Sequence, residues 1–202
     1  MEKLIKKAYG KINLGLDVLR RRPDGYHEVK MIMQMVDIYD TLTFEKREDN
    51  QIVLSANRED IPCDESNLIY KAAKLLFDYK QVSYGVNIHL EKRIPVAAGM
   101  AGGSTDAAAA LVGINKLFAL GLSMEELKEI GVKIGADVPY CILGKTALAE
   151  GLGEILTVLP PLKESIVCLA KPSYSVNTGQ VYKEIDQKKN LLHPDTEGAI
   201  KA

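Results

Sequence analysis

A chain of 202 residues with 47% apolar and 26% charged side chains can bury a substantial core, and at a net charge of −1 it carries no electrostatic footprint for nucleic acid or an anionic membrane. With 6% aromatic residues and no Trp it also lacks the material for a base-stacking platform. Cys63, Cys141 and Cys168 are odd in number and far apart, which argues against a disulfide framework and fits a reducing cytoplasm; His27, His89 and His193 lack metal-ligand spacing. No segment approaches the ~20 apolar residues of a membrane helix, and residues 1–7 lack the apolar core of a signal peptide.

Residues 4–19 read as a strand or strand pair, with Ile12, Leu14, Leu16 and Val18 alternating with polar or small residues. Lys11 and Asn13, two apart, share one face, either as solvated decoration or as the lining of a cleft. Arg20, Arg21 and Arg22 form a charge run, solvated or holding a polyphosphate, ahead of the turn former Pro23-Asp24-Gly25. Tyr26 and His27 follow it, a flat ring and a donor or acceptor on short tethers. Further strands are expected at Val29–Asp40, Thr41–Arg47 and Gln51–Ala56, with Met31, Met33 and Met35 on one core face. Over residues 66–80 the period changes to that of a helix, with Leu68, Ala72, Leu75, Leu76 and Tyr79 on one side and Asp64, Ser66 or Asn67 as cap.

Val86–Lys92 alternates as a half-buried strand and leads into Pro95-Val96-Ala97-Ala98-Gly99-Met100-Ala101-Gly102-Gly103-Ser104-Thr105-Asp106, before the helix-forming, low-bulk run Ala107–Leu111. A glycine-rich turn opening a helix is either a tight connection or an anion site, since the first amides of a helix lack intrahelical partners and sit at the positive end of its dipole. There is no Gly-Lys-Ser/Thr ending and the glycine spacing is not that of a dinucleotide fingerprint. Ser123-Met124-Glu125-Glu126 has capping-box spacing for a helix through Leu127, Ile130 and Ile134, ending at Gly135. In Ala136-Asp137-Val138-Pro139, Pro139 is expected to hold Val138 extended and to present Asp137 as a turn former, a cap or a functional carboxylate. Strands at Thr146–Glu150 and Ile166–Ala170, a helix at Thr178–Ile185 capped by Asn177, and a mobile or interrupted tail from Gln187 complete the reading.

Lys11-Ile12-Asn13-Leu14, Pro23-Asp24-Gly25-Tyr26-His27, the glycine loop and Gly135-Ala136-Asp137-Val138-Pro139 together resemble, in order and spacing, the galactokinase–homoserine kinase–mevalonate kinase–phosphomevalonate kinase superfamily. The Asp-Gly-Tyr-His segment is most similar to members whose acceptor carries a cytidine diphosphate group. The resemblance implies ATP-dependent phosphorylation of a hydroxyl, with ATP and Mg²⁺ as cofactors and no nucleic-acid or membrane partner. It implies that Pro95, Val96, Ala97, Ala98, Gly99, Met100, Ala101, Gly102, Gly103, Ser104 and Thr105 wrap the triphosphate, with Ser104 and Thr105 within reach of a phosphate or the metal. Asn67 and Lys92 would lie near the adenine; Asn13, Tyr26, His27, Thr178 and Tyr182 would face the acceptor, and Lys11 and Asp137 would be the catalytic pair.

By the same likeness the fold is α+β. Residues 1–160 would form the N-terminal ATP-binding domain, a ribosomal-protein-like α/β sandwich, and residues 161–202 the start of a ferredoxin-like C-terminal domain. Members ordinarily carry a third glycine-rich motif in that second domain, and this sequence stops at Ala202 before one. The expectation is an apolar flank left uncovered and self-association through it. Two alternatives stay open: another small-molecule acceptor, or nucleotide binding without turnover.

Overall fold

The computed structural model describes residues 3–171, 178–188 and 191–201. β1 (Lys3–Arg21) and β2 (His27–Arg47) form a long antiparallel hairpin. Its turn is built as Pro-Asp-Gly requires: Gly25 sits at φ +87°, and Asp24 Oδ1 accepts from Tyr26 N at 3.1 Å. β2 runs unbroken for 21 residues instead of dividing at Asp40. Asp40 does not turn the chain: its backbone stays in register with Ala8, and its carboxylate is buried among donors from residues 92–94.

β2 is the spine of a six-stranded sheet. One edge pairs with β1 throughout; on the other, Thr41–Arg47 pairs with β4 (Gly85–Glu91) and Val29–Met33 with β5 (Ala147–Gly151). β3 (Ile52–Ala56) lies parallel to β4, and β6 (Ile155–Val158), unforeseen in the sequence, lies antiparallel to β5.

Helices α1 (Leu68–Lys80), α2 (Gly102–Leu117), α3 (Met124–Val132) and α4 (Val138–Leu143) pack into one core with the face of the sheet that carries Leu42, Phe44, Leu54, Ile88 and Leu90. Asn67 caps α1, its Oδ1 accepting from Ile69 N at 2.9 Å. The buried side of α1 is Ile69, Ala72, Ala73, Leu76 and Phe77, whereas Tyr79, expected on that face, is 49% exposed. The alanines of α2 allow close approach to the sheet, and at Gly113 a Cβ would stand 2.7 Å from Phe44 Cε2. The capping box at Ser123 and Glu126 forms as its spacing predicts. α3 closes at Val132, with Gly135 N still bonded to Gly131 O at 3.1 Å in the turn that follows. Pro139 does not hold Val138 extended but occupies the first turn of α4, where a missing N–H leaves no intrahelical bond unmade.

Met31 and Met33 are core residues beside Val18, Val29 and Tyr140. In β1 the alternation holds only in part: Val18 is buried, but Leu14 and Leu16 face solvent while Lys11 and Asp17 are buried, with a register shift between Asn13 and Gly15. Residues 166–170 form no strand and Ile166 is fully exposed, because among the described residues no neighbour completes a ladder for them. α5 (Thr178–Asp186) forms where expected; its proposed cap Asn177 lies outside the described residues. Far from trailing, the tail docks α6 (Thr196–Lys201) on the hairpin through buried Thr196, a Lys30–Glu197 ion pair and a 2.7 Å bond from His193 Nδ1 to Asp17.

Gly113→Ala tests the closest helix–sheet contact. Better helix propensity gives back ~1 kcal/mol, and overpacking against buried Phe44 costs about 1–3 kcal/mol, so a net loss of up to about 2 kcal/mol is expected as a lower urea midpoint with unchanged slope.

Candidate active site

The site starts from the free edge of β1. Lys11 N donates to Met100 O at 3.1 Å, and Tyr9 O accepts from Thr105 Oγ1 at 2.7 Å, so the strand is bonded to the glycine loop on both sides of the start of α2. Gly10 between them makes room, since a Cβ there would stand 3.1 Å from Met100 Cε. The Lys11 side chain is 5% exposed, and its ammonium donates to Asn13 Oδ1 at 3.1 Å. The shared strand face thus becomes a contact.

The loop reaches α2 through left-handed residues at Ala97 (φ 53°), Gly99 (69°) and Ala101 (53°). Two of the three are alanines, each held there at a cost of roughly 1–2 kcal/mol. Ala101 is the N-cap of α2 and offers no side-chain acceptor; the first helical bond is Thr105 N to Ala101 O at 2.8 Å. Among the described residues the amides of Gly102, Gly103 and Ser104 have no partner. They border a cavity of about 440 Å³ whose other wall includes Ile61, Pro62, Leu68 and Leu90. Unpaired amides at a helix start, facing an apolar-walled cleft, fit a phosphorylated ligand.

Beneath the loop lies a buried ion cluster that the sequence did not announce. Lys92 Nζ stands 2.6 Å from both Asp40 Oδ2 and Asp106 Oδ2, and Gly102 is the residue that tolerates it, since a Cβ there would be 2.9 Å from Nζ. Arg93 N and Ile94 N also donate to Asp40 Oδ1, at 2.5 and 2.8 Å. Asp106 Oδ1 is buried without a partner. Burial pushes the Asp106 carboxyl up to about 8, against the pull of Lys92 and with Asp40 adding to the rise.

Asp137 occupies the N-cap position of α4 and is part-buried. Its connection abuts the loop: a Cβ on Gly135 would lie 3.8 Å from Ser104 Oγ. One turn further, Cys141 N bonds to Asp137 O at 3.0 Å. The Cys141 thiol is pushed up to about 12 by its shielding and then by the Asp137 charge, while a bond with Thr105 and the Lys11 charge act the other way. Lys11, Thr105 and Asp137 therefore all lie within electrostatic reach of one sulfur. Among the described residues no ion pair joins Lys11 to Asp137 directly.

At the hairpin end the His27 ring stacks on Tyr182, with centroids 4.6 Å apart and planes 23° from parallel, and Tyr26 is 65% exposed beside it. His27 Nε2 lies 2.7 Å from Asp186 Oδ1. The side chain of Thr178 lies outside the described residues.

A family model described as GHMP kinases N terminal domain matches residues 67–145. A 4-diphosphocytidyl-2-C-methyl-D-erythritol kinase of Clostridium perfringens (strain ATCC 13124) is 54% identical over 196 residues, covering 97% of this chain and 68% of that protein. The chain belongs to the 4-diphosphocytidyl-2-C-methyl-D-erythritol kinase family. A relative of the same name in Alkaliphilus metalliredigens (strain QYMF) is 50% identical over 202 residues, 100% of this chain and 69% of its own length. The crystal structure of a 4-(cytidine 5'-diphospho)-2C-methyl-D-erythritol kinase superposes with a TM-score of 0.78 at 32% identity, over 98% of this chain and 70% of that one. Mevalonate kinase of Methanococcus jannaschii, at 12% identity and a TM-score of 0.63 over 79% of this chain and 56% of that one, shares the fold alone.

In this 4-diphosphocytidyl-2-C-methyl-D-erythritol kinase family member, the two residues expected beside an adenine line the cavity with their side-chain polar groups already engaged. Asn67 caps α1 and donates from Nδ2 to Pro62 O at 2.7 Å, and Lys92 holds the two aspartates. Asp40, Asp106 and Asp186 were absent from the sequence candidates; the only signal was their charge, and their partners lie 52, 14 and 159 residues away along the chain.

The ion cluster generates a pH prediction. The folded state keeps the Asp106 proton up to about pH 8, whereas the unfolded chain releases it near the ordinary ~3.9. Its contribution is fully present below the unfolded pKa and is lost as pH rises through the folded one. The urea midpoint should fall between pH 5 and 8.5, and fall less in Asp106→Asn. Lys92→Met, which leaves Asp40 without a counter-charge, should cost about 3–5 kcal/mol in the same assay.

Proposed function

We propose that the chain transfers the terminal phosphoryl group of ATP to the 2-hydroxyl of 4-(cytidine 5'-diphospho)-2-C-methyl-D-erythritol, a step of non-mevalonate isoprenoid precursor synthesis. The observation that carries this reading is the pair of bonds from β1 to the loop, Lys11 N to Met100 O and Thr105 Oγ1 to Tyr9 O, which fix the Lys11 backbone at Met100, two residues ahead of the unpaired helix-start amides. The family membership agrees with it.

The donor set fits a triphosphate: three unpaired amides at residues 102–104 with the Ser104 hydroxyl beside them. Thr105, 2% exposed, gives its hydroxyl proton to Tyr9 O, so Ser104 is the hydroxyl better placed for a phosphate oxygen or magnesium. ATP with Mg²⁺ supplies the phosphoryl group and offsets its charge. Asp137 aims the acceptor hydroxyl and takes its proton late, which a loose transition state permits. Lys11 keeps two ammonium protons beyond the one given to Asn13, and directs them at the transferring group. Tyr26, His27 and Tyr182, with Asn13 and Thr178, face the cytidine diphosphate end; an aromatic ring suits a planar base. Pro95–Ala101, Asn67 and Lys92 frame the nucleotide cavity.

We read residues 161–202 as the beginning of a second unit, supported by the extended, exposed course of residues 161–171. Ile155, Val158, Leu162 and Ile166 are more than 45% exposed and support association through this flank. Sedimentation at rising concentration should show it; a fixed monomer would count against it.

For the reaction, the chain with Mg-ATP and the cytidylyl acceptor should release ADP. Asp137→Asn should lower kcat by ~10²–10⁴ while ATP affinity, read by calorimetry, stays nearly constant. Equal loss of ATP binding would refute the assignment, and ADP release with acceptors lacking a base would point to another substrate.

A further inference from the structure

Arg21 and His27 face each other across the closing end of the β1–β2 hairpin, and Asp186, the last residue of α5, reaches both. Its Oδ1 is 2.7 Å from His27 Nε2 and its Oδ2 is 3.8 Å from Arg21 Nε. An ionised carboxylate only accepts hydrogen bonds, so Nε2 carries a ring proton, and the tautomer this selects leaves Nδ1 as a bare acceptor. No described residue bonds that Nδ1. Stacking on Tyr182 fixes the plane of the ring, and Asp186 fixes which edge faces which way.

We infer that Asp186 is a positioning residue: by holding the His27 proton on Nε2 it makes the site accept a cytosine and refuse a uracil. This rests on the proposal that Tyr26, His27 and Tyr182 hold the cytidine end. Cytosine presents an exocyclic amine donor where uracil presents a carbonyl acceptor, while the ring nitrogen beside it changes from acceptor to donor. A bare Nδ1 pairs with the amine and is opposed by the carbonyl, and an opposed pair out of water is disfavoured more than a missing one. Without Asp186 the imidazole is free to carry its proton on Nδ1, and the two bases become alike to it.

The test uses the whole chain, with CDP and UDP as calorimetric probes and ATP as the control ligand. The wild type should bind CDP on the order of 10–100-fold more tightly than UDP. Asp186→Ala should weaken CDP and bring the CDP/UDP ratio toward one, while Asp186→Asn, whose amide oxygen still accepts from Nε2, should keep most of the ratio. ATP affinity should hold in all three. A merely structural role would weaken both probes alike, so an unchanged ratio in Asp186→Ala overturns the inference, as does a wild type that binds both equally. A wild type that binds neither removes the cytidine site itself, and the inference with it.

Discussion

Everything at the glycine-loop end of this fold hangs on the edge of β1. Sheet edges expose unpaired amides and carbonyls, and here those of Tyr9 and Lys11 are taken up by the loop that opens α2. The bonds satisfy the strand and anchor the loop in a single arrangement. The alanine face of α2 and the close approach at Gly113 then fix the helix on the sheet, so the loop is held at both ends by rigid elements. Such support explains how Ala97 and Ala101 persist in a conformation that side chains resist.

The buried Lys92–Asp40–Asp106 cluster completes this anchoring from below. It ties β2, the residue after β4 and the first turns of α2 through the Lys92 ammonium, which lies 2.6 Å from both Asp40 and Asp106. Buried ion clusters add little net stability but tolerate few alternative geometries. Here the cluster acts as a locator: it sets where α2 begins, and hence where the unpaired amides point.

Local features were legible in the sequence. The capping box at Ser123, the Asn67 cap, the Pro-Asp-Gly turn and the core methionines each follow from chemistry within a few residues. So did the ordering of the motifs, because residue identity and spacing survive without coordinates. The misreadings fall at positions whose outcome depends on how the fold places them. Asp40 reads as a strand break until Lys92 is placed beside it, Pro139 as a helix breaker until Val138 is seen to open a helix, and residues 166–170 as a strand until no neighbour pairs with them. The exposure of Leu14 and Leu16 also escaped, where the register of β1 against β2 shifts between Asn13 and Gly15. The approach of Asp186 to His27 is tertiary, and no periodicity encodes it.

The sulfur at the meeting point of these elements has a chemical consequence of its own. Electrophiles and oxidants attack thiolates, and Cys141, shielded and beside a negative charge, stays protonated throughout the cellular range. Cys63 and Cys168 stand exposed to solvent. Exposure therefore puts Cys63 and Cys168, and not Cys141, in the path of oxidants from solvent.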